Sequence, residues 1–372
     1  MFGTASRPIR ILLVADSHLG FDHPVRPRVR RRRRGEDFLA NHRRACRTAV
    51  EEGVDLLVHG GDLFHAPNPP ASLVYQAFDP LKRVADAGIP VFIVPGNHER
   101  SRIPFDWLGD HPDVHVFHEP STVSVGVRGA AVAVTGLPCI RRGARDRFAT
   151  ELRRARRRES TADLRLLLTH QAFEGAVVGP ADYTFRDGHD VIPLAAVPED
   201  VAAVLSGHIH RHQVLERDLA GHPAPAPVIY PGSVERTAFA ERFEPKGYCL
   251  LEARPGDDGG SIERREFLDV GARPMEIRPL AVGGLDRAGL ERAIRRAVAS
   301  APRDAVIRLE ADEEPEPGAA AILGAASLRA LAPQTMNLEV RIAGARAWRG
   351  RRGRRPHPAD RNPPQRELFR DP

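Results

Sequence analysis

Short apolar runs that end in polar motifs are the feature that most constrains the fold of this chain. The clearest run, residues 54–59, has the length of a buried strand and leads into Gly60-Gly61-Asp62. Glycine lets the backbone turn sharply there and come close to whatever the Asp62 carboxylate holds. A carboxylate just past a strand lies at the carboxyl edge of a sheet, where open α/β folds place their ligands. The run therefore predicts a polar site at a sheet edge.

Five apolar runs end in this way, and the candidate ligands all follow them. They are Asp16 and His18 after residues 9–15, Asp62 after 54–59, Asn97 and His98 after 89–94, His170 after 164–168, and His208 and His210 after 201–205. Helical periods at residues 36–52 and 72–87 separate the first three runs, which indicates an α/β fold with a parallel sheet. A lone histidine at a strand end is usually structural. Five polar ends at one edge of one sheet converge in space, so we expect a single site.

The types of these residues indicate a metal site. Histidine nitrogen, carboxylate oxygen and amide oxygen suit divalent manganese, iron or zinc, and the absence of thiolate ligands argues against a structural zinc site. Two ions about 3.5–4 Å apart need a bridging carboxylate, and Asp62 is central in the series. His98 lies beside a ligand without being needed as one. It can stabilise the transition state or protonate a leaving oxygen.

Composition divides the chain into three parts. Residues 1–270 hold the strand-end motifs, 271–343 predict a small α+β unit without a chemical motif, and 344–372 hold nine Arg and three acidic residues. The net charge of this tail is +6, the same as that of the whole chain, so the remainder is neutral. A basic tail suits a polyanion such as nucleic acid, and it equally suits a solvated, disordered extension.

A second basic segment follows the first motif. Seven arginines lie between Arg26 and Arg34, in a run too charged for a core. This pattern predicts a surface loop. The loop can steer phosphate toward the site, or it can simply be a solvated loop in a chain whose 55 basic residues include only two lysines.

Cysteine usage and hydropathy predict a cytoplasmic protein. The three cysteines, Cys46, Cys139 and Cys249, are widely spaced, which fits a reducing compartment. No stretch is apolar over the roughly 18 residues that a membrane span needs, and residues 1–10 do not have the pattern of a secretory signal.

The order of the motifs resembles that of a known family. Asp-x-His, Gly-Asp, Gly-Asn-His, His and Gly-His-x-His follow one another over about residues 9–210, as in the calcineurin-like metallophosphoesterases. The fuller forms at residues 16–20, 61–65, 207–210 and 230–237 are similar to the SbcD branch, the nuclease subunits of the double-strand-break repair complex. The resemblance implies a β-sandwich flanked by helices, with a smaller C-terminal α+β capping domain that helps grip DNA, and here a basic tail.

The resemblance also assigns roles to residues. It implies one metal ion held by Asp16, His18, Asp62 and His210, and a second held by Asp62, Asn97, His170 and His208. It implies that His98 is catalytic and that manganese is preferred, with iron or zinc as alternatives. His65 matches a family histidine linked to exonuclease action, and Arg236 lies in the 230–237 motif, so both are candidate DNA-binding residues.

The function that the resemblance implies is a two-metal exo- or endonuclease acting on DNA ends in double-strand-break repair. The same core serves small-molecule phosphodiesterases and phosphatases, which are the alternative. The 232–237 motif and the 271–343 unit favour DNA, because a small substrate needs no gripping module. A non-catalytic DNA-binding scaffold is disfavoured, since no ligand position is missing. The resemblance further implies a homodimer and an SMC-like ATPase partner. That partner usually binds a C-terminal helical segment, and the Pro/Arg-rich tail has no helical pattern.

Overall fold

The structure, a computed structural model, describes residues 7–23, 31–99, 111–158 and 161–342. Within these ranges the chain divides into two compact units. The first comprises residues 7–23, 35–236 and 244–272, and the second comprises 31–34, 237–243 and 273–342. The basic tail, and the part of the arginine-rich segment from Arg26 to Arg30, lie outside the described residues.

The described part of the first unit is built from strands and three α-helices. The strands are β1 (Ile9–Val14), β2 (Leu56–His59), β3 (Val91–Ile93), β4 (Val114–Val116), β5 (Ser121–Val127), β6 (Ala130–Leu137), β7 (Leu164–His170), β8 (Ala172–Phe173), β9 (Val177–Val178), β10 (Tyr183–Thr184), β11 (Val191–Ile192), β12 (Ala203–Gly207), β13 (Gln213–Arg217), β14 (Pro223–Tyr230), β15 (Gly247–Arg254) and β16 (Ser261–Asp269). The helices are α1 (Arg34–Glu51), α2 (Ala71–Asp86) and α3 (Ala144–Ala155). Across the described part of the chain, no helix combines the length and the apolarity that crossing a membrane requires.

Two six-stranded sheets dominate this unit. The first has the order β16-β15-β1-β2-β3-β4, and the second has the order β13-β14-β12-β7-β6-β5. Strands β1 to β4 pair in parallel, as the alternation of strands and helices predicts. In the second sheet β6, β7, β12 and β14 are also parallel neighbours.

The two sheets pack face to face, and helices cover the outside. Alternate residues of a strand point to opposite faces, so Ile11 of β1 packs in one core with Leu166 of β7. The next residue along β1, Leu12, lies in a different core with Phe38 of α1 and Phe78 of α2. The predicted fold class, a β-sandwich flanked by helices, is confirmed.

The expectation of a single sheet, made from the apolar runs alone, is wrong. The first three polar motifs follow β1, β2 and β3 of the first sheet, whereas His170 ends β7 and His208 follows β12 of the second. Strands that are buried on both faces are apolar throughout, whether they belong to one sheet or to two. The runs therefore do not reveal where one sheet stops and the next begins. The carboxyl ends of both sheets nevertheless meet at one place, as described below.

The second unit contains a parallel three-stranded sheet with helices between its strands. Its elements are β17 (Met275–Leu280), α4 (Arg287–Ala299), β18 (Val306–Ala311), α5 (Pro317–Ala320), α6 (Ala325–Leu331) and β19 (Asn337–Ile342), with the sheet order β17-β18-β19. Asp286 caps α4 by accepting a hydrogen bond from the Gly289 N–H at 2.7 Å. Leu290 and Ile294 of α4 pack on Leu309 of the sheet, so the unit has its own core.

Candidate metal centre

The turns after β1 and β2 run side by side and are joined through their backbones. The N–H of Asp16 donates to the Gly61 carbonyl oxygen at 3.0 Å, and the N–H of His18 donates to that of Asp62 at 2.9 Å. A further bond joins Leu19 to Leu63 at 2.9 Å. These bonds fix the relative positions of the Asp16, His18 and Asp62 side chains, because each lies on one of the two joined turns.

Four residues of the predicted site have a strained backbone. Asp16, His18, Asp62 and His208 have positive φ angles of 49°, 41°, 50° and 85°. Residues other than glycine rarely adopt this region. Such strain persists only where the surroundings hold it, and it is concentrated at functional sites. The conformations therefore point to a functional demand on these turns.

Glycine allows the motifs to approach one another closely. A Cβ atom on Gly96 would lie 2.1 Å from Asp62 Oδ1, and one on Gly61 would lie 2.6 Å from His170 Nδ1. Gly61 also has a φ of +94°, which only glycine adopts at low cost. The glycines before Asp62 and Asn97 are thus required by packing around the Asp62 carboxylate, as the Gly60-Gly61-Asp62 motif predicts.

Asp62 lies at the centre of the cluster and is almost fully buried, with 2% of its surface exposed. Its Oδ2 is 3.4 Å from His170 Nε2 and 3.9 Å from the Nε2 atoms of both His18 and His98. Its Oδ1 accepts a hydrogen bond from the backbone N–H of His98 at 2.9 Å. The carboxylate therefore faces residues from both sheets at once.

Two further sets of atoms converge beside Asp62. Asn97 Oδ1 lies 3.0 Å from His170 Nε2 and 2.9 Å from His208 Nδ1. On the other side, His18 Nε2 lies 3.0 Å from His210 Nε2. The seven predicted metal ligands thus form one cluster around Asp62.

Asp16 connects the two sheets at this point. His210 Nε2 lies 3.9 Å from Asp16 Oδ1. The backbone N–H of His208 donates to both carboxylate oxygens of Asp16 at 3.1 Å. Within the described residues, the groups able to hold a metal ion include Asp16 with His18 and His210, and Asp16 with Asp62 and His170.

Burial and neighbouring charges shift the pKa values of the cluster's residues in different directions. Burial lowers the pKa of His208 to about 3, and burial together with His210 holds the pKa of His18 well below its usual range. Burial alone would also lower the pKa of His170, but the Asp62 carboxylate beside it raises that pKa to about 9. Burial disfavours the charged form of Asp62, yet His170 holds its pKa well below its usual value.

The donor set fits divalent metal ions. His18 and His210 bring two ring nitrogens within 3.0 Å of each other, and only a shared proton or cation can satisfy both. Burial raises the pKa of Asp16 to about 6, and this effect is larger than the opposite effect of His170 and His210. A buried carboxylate of this kind is stabilised by a cation. Metal ligands must be deprotonated, so binding at His170 requires the loss of its proton.

The comparison with known families agrees with this geometry. The profile of the calcineurin-like phosphoesterase family matches residues 9–212, the segment that carries all five motifs. The chain belongs to this family. It is therefore a metal-dependent phosphoesterase, and the resemblance to the calcineurin-like metallophosphoesterases is confirmed.

Several curated relatives of this calcineurin-like phosphoesterase are archaeal proteins named for DNA double-strand break repair. It is 29% identical over 314 residues to the DNA double-strand break repair protein Mre11 of Haloferax volcanii, covering 82% of this chain and 62% of that protein. It is 29% identical over 279 residues to the protein of the same name from Methanopyrus kandleri, with coverages of 70% and 57%. The chain thus spans about three fifths of the length of these relatives. A solved dimetal phosphatase from Danio rerio aligns at 14% identity and a TM-score of 0.39, over 71% of this chain and 98% of that one.

The structure brings His65 and His98 to the cluster. Ring nitrogens of His18, His65 and His98 form a further group that could hold an ion. His98 Nδ1–H donates to the His65 carbonyl oxygen at 2.8 Å, and its side chain is 30% exposed. Arg236, the other candidate DNA-binding residue, donates through Nη2 to the Glu244 carbonyl oxygen at 2.9 Å. Its role in DNA binding stays a prediction.

Two residues that hold the cluster in place were missed by the sequence analysis. Glu99 lies directly after His98, and Lys246 donates to the His210 carbonyl oxygen at 2.9 Å and to Glu244 at 3.1 Å. Lys246 is fully buried. A sequence signal for it existed, since it is one of only two lysines in a chain that otherwise uses arginine.

Glu99 joins two of the motifs, and its loss should destabilise the unit. Its Oε1 accepts from the Phe64 N–H at 2.9 Å and its Oε2 from the Gly96 N–H at 2.7 Å, and it is only 2% exposed. Glu99→Ala should lower the free energy of unfolding by about 2–6 kcal/mol, because each buried N–H left without an acceptor costs about 1–3 kcal/mol. Urea unfolding followed by circular dichroism measures this. Glu99→Gln, which keeps one acceptor, should lose roughly half as much; equal stability of Glu99→Ala and wild type would contradict the bridging role.

Proposed function

We propose that this protein is a two-metal DNA phosphodiesterase that cuts at DNA ends in double-strand-break repair. The observation that carries the proposal is the convergence of six further residues with nitrogen or oxygen donors, from both sheets, around Asp62. A carboxylate between two sets of histidines could serve a pair of divalent ions about 3.5–4 Å apart.

The proposed ligands fall into two sets that share Asp62. They are Asp16, His18, Asp62 and His210 for one ion, and Asp62, Asn97, His170 and His208 for the other. When bound, such a pair of ions activates a water molecule and neutralises phosphate charge. We propose manganese as the physiological ion, with iron or zinc as alternatives, because the donors are nitrogen and oxygen without a thiolate.

His98 is proposed as the catalytic residue that moves a proton. Its Nδ1–H is held by the His65 carbonyl oxygen at 2.8 Å, which fixes the ring and leaves Nε2 for the substrate side. A His98 that also carries a proton on Nε2 can pass it to the leaving oxygen. His65 supports this role directly by holding the ring in place.

DNA is proposed as the substrate on three grounds. The archaeal relatives are named as double-strand break repair proteins. The described structure includes a second unit after residue 272, beyond the segment matched by the family profile, and we propose that this unit grips DNA. Arg236 of the first unit is a separate proposed DNA contact. The tail after residue 343 is basic. A homodimer, an SMC-like ATPase partner and a cytoplasmic location are part of the same proposal.

One assay tests the function. Purified full-length protein with manganese is offered a linear end-labelled DNA duplex and a chromogenic phosphodiester in parallel, with a chelator-treated sample as the blank. We expect degradation of the duplex from its ends, and none with the chelator. Hydrolysis of only the small ester would move the protein to the class of small-molecule phosphodiesterases. DNA binding without any turnover would indicate a non-catalytic scaffold.

A further inference from the structure

A chain of buried polar side chains lies behind the turns that carry Asp16, His18 and Asp62. Its members are Ser17, His42 and His59, and each is fully buried. Ser17 lies between Asp16 and His18, His59 is the last residue of β2, and His42 lies on α1. None of the three is among the proposed metal ligands, so the function proposed above does not use them.

The distances define four successive hydrogen bonds. The Gly61 N–H lies 3.2 Å from His59 Nδ1, and His59 Nε2 lies 2.9 Å from Ser17 Oγ. Ser17 Oγ lies 3.4 Å from His42 Nδ1, and His42 Nε2 lies 2.9 Å from the carbonyl oxygen of Ala77 on α2. The chain thus runs from the turn before Asp62 to the backbone of a helix.

Backbone chemistry at the two ends fixes every proton between them. The Gly61 N–H can only donate, so His59 Nδ1 accepts and the hydrogen of the neutral ring is on Nε2. The Ala77 carbonyl can only accept, so the hydrogen of His42 is also on Nε2 and its Nδ1 accepts. The Ser17 hydroxyl then accepts from His59 and donates to His42. All four bonds are satisfied in one direction, without two donors facing each other.

The neutral state that this direction requires agrees with the burial of both rings. Burial lowers the pKa of His42 to about 4, although its bond to Ala77 works the other way. Burial also holds the pKa of His59 well below its usual range. Both rings are therefore neutral at physiological pH, and each has one N–H and one lone pair to place.

The hydrogen bonds of Ser17, His42 and His59 lie beside backbone turns that are strained. The φ angles of Asp16, His18 and Asp62 are positive, and a strained backbone persists only when its surroundings hold it. Ser17 connects directly to two of these residues, and the Gly61 N–H precedes the third. We propose that Ser17, His42 and His59 are positioning residues, whose one-directional hydrogen-bond chain holds the two strained turns against α1 and α2 and so sets the metal affinity of the site.

Ser17→Ala is the variant that tests the positioning role, which rests on the function proposed above. Ser17→Ala removes the central link and leaves His59 Nε2–H and His42 Nδ1 without their partner. Loss of a group that orients metal ligands costs about 10–100-fold in metal affinity. We expect a loss of this size for manganese alone, titrated calorimetrically into the full-length protein. Leu164→Ala is the control, since it cuts a buried side chain at the amino end of β7, the strand that ends in His170.

The tautomers provide a readout that does not depend on metal. With ¹⁵N-labelled histidine in the metal-free protein, we expect two rings with hydrogen on Nε2 only and with shifts that do not change across neutral pH. His42→Gln and His59→Gln assign the two signals by removing one each. An Nδ1–H tautomer in either ring, or a ring that titrates near neutral pH, would contradict the proposed series of hydrogen bonds.

The outcomes separate this proposal from the proposed function. Weak manganese binding by Ser17→Ala, together with normal binding by Leu164→Ala, supports the positioning role. Normal manganese binding by both variants, with only a lower melting temperature, would overturn the positioning role. The three side chains would then be ordinary core residues without an effect on metal binding. A wild-type protein that binds no manganese would overturn the proposed function, and the positioning role would fail with it for that separate reason.

Discussion

Asp62→Asn is expected to leave a folded protein that has lost at least about 10³-fold of its phosphodiesterase activity. Asparagine keeps the size of the side chain and an oxygen to accept the His98 N–H, but it removes the negative charge that faces His170 at 3.4 Å. In the proposed two-metal site, this charge would hold both cations. Several kcal/mol of transition-state stabilisation are lost, and each 1.36 kcal/mol lowers the rate by a factor of ten. Initial rates on end-labelled duplex measure the loss.

A control separates loss of the bridge from a general effect of the substitution. Asp187→Asn makes the same change at a carboxylate whose side chain is 93% exposed, and it should leave the activity unchanged. Manganese should also raise the melting temperature of the wild type, since a ligand at 100 times its Kd stabilises by about 2.7 kcal/mol. The Asp62→Asn variant should not show this increase in melting temperature with manganese. If the variant retains both its activity and the increase in melting temperature with manganese, Asp62 is not the bridging ligand.

The sequence predicted the residues of the site more completely than the path of the chain between them. The seven proposed ligands and His98 each follow an apolar run, and a strand end is visible as a change from apolar to polar residues. What such a change does not show is the sheet to which the strand belongs. The five motifs therefore converge as expected, although they come from two sheets.

Buried polar residues were the part of the site that the sequence could not predict. Glu99, His42 and His59 are all buried, yet a buried polar residue and an exposed one look the same in a sequence. Their burial follows from tertiary contacts, and each of them hydrogen-bonds to a backbone group. The strain at Asp16, His18 and Asp62 is equally invisible, because it depends on the same contacts.

His98→Ala is expected to lower kcat on duplex DNA by about 10²–10⁴-fold, the range that a positioned proton donor contributes, while metal content stays at the wild-type level. The backbone N–H of residue 98, which donates to Asp62 Oδ1 at 2.9 Å, is retained in the variant, so the Asp62 carboxylate keeps its place. Elemental analysis of the purified variant measures the metal. His222→Ala is the control, since that side chain is 76% exposed.

A change of leaving group then distinguishes the two roles open to His98. A nitrophenolate leaves as a stable anion and needs no proton, whereas the deoxyribose oxygen of DNA does. If His98 protonates the leaving oxygen, His98→Ala should lose far more activity on DNA than on a nitrophenyl phosphodiester. Equal losses on both substrates would mean that His98 stabilises the charge of the transition state instead. Loss of metal would contradict both roles, because the histidine would then be needed to assemble the centre.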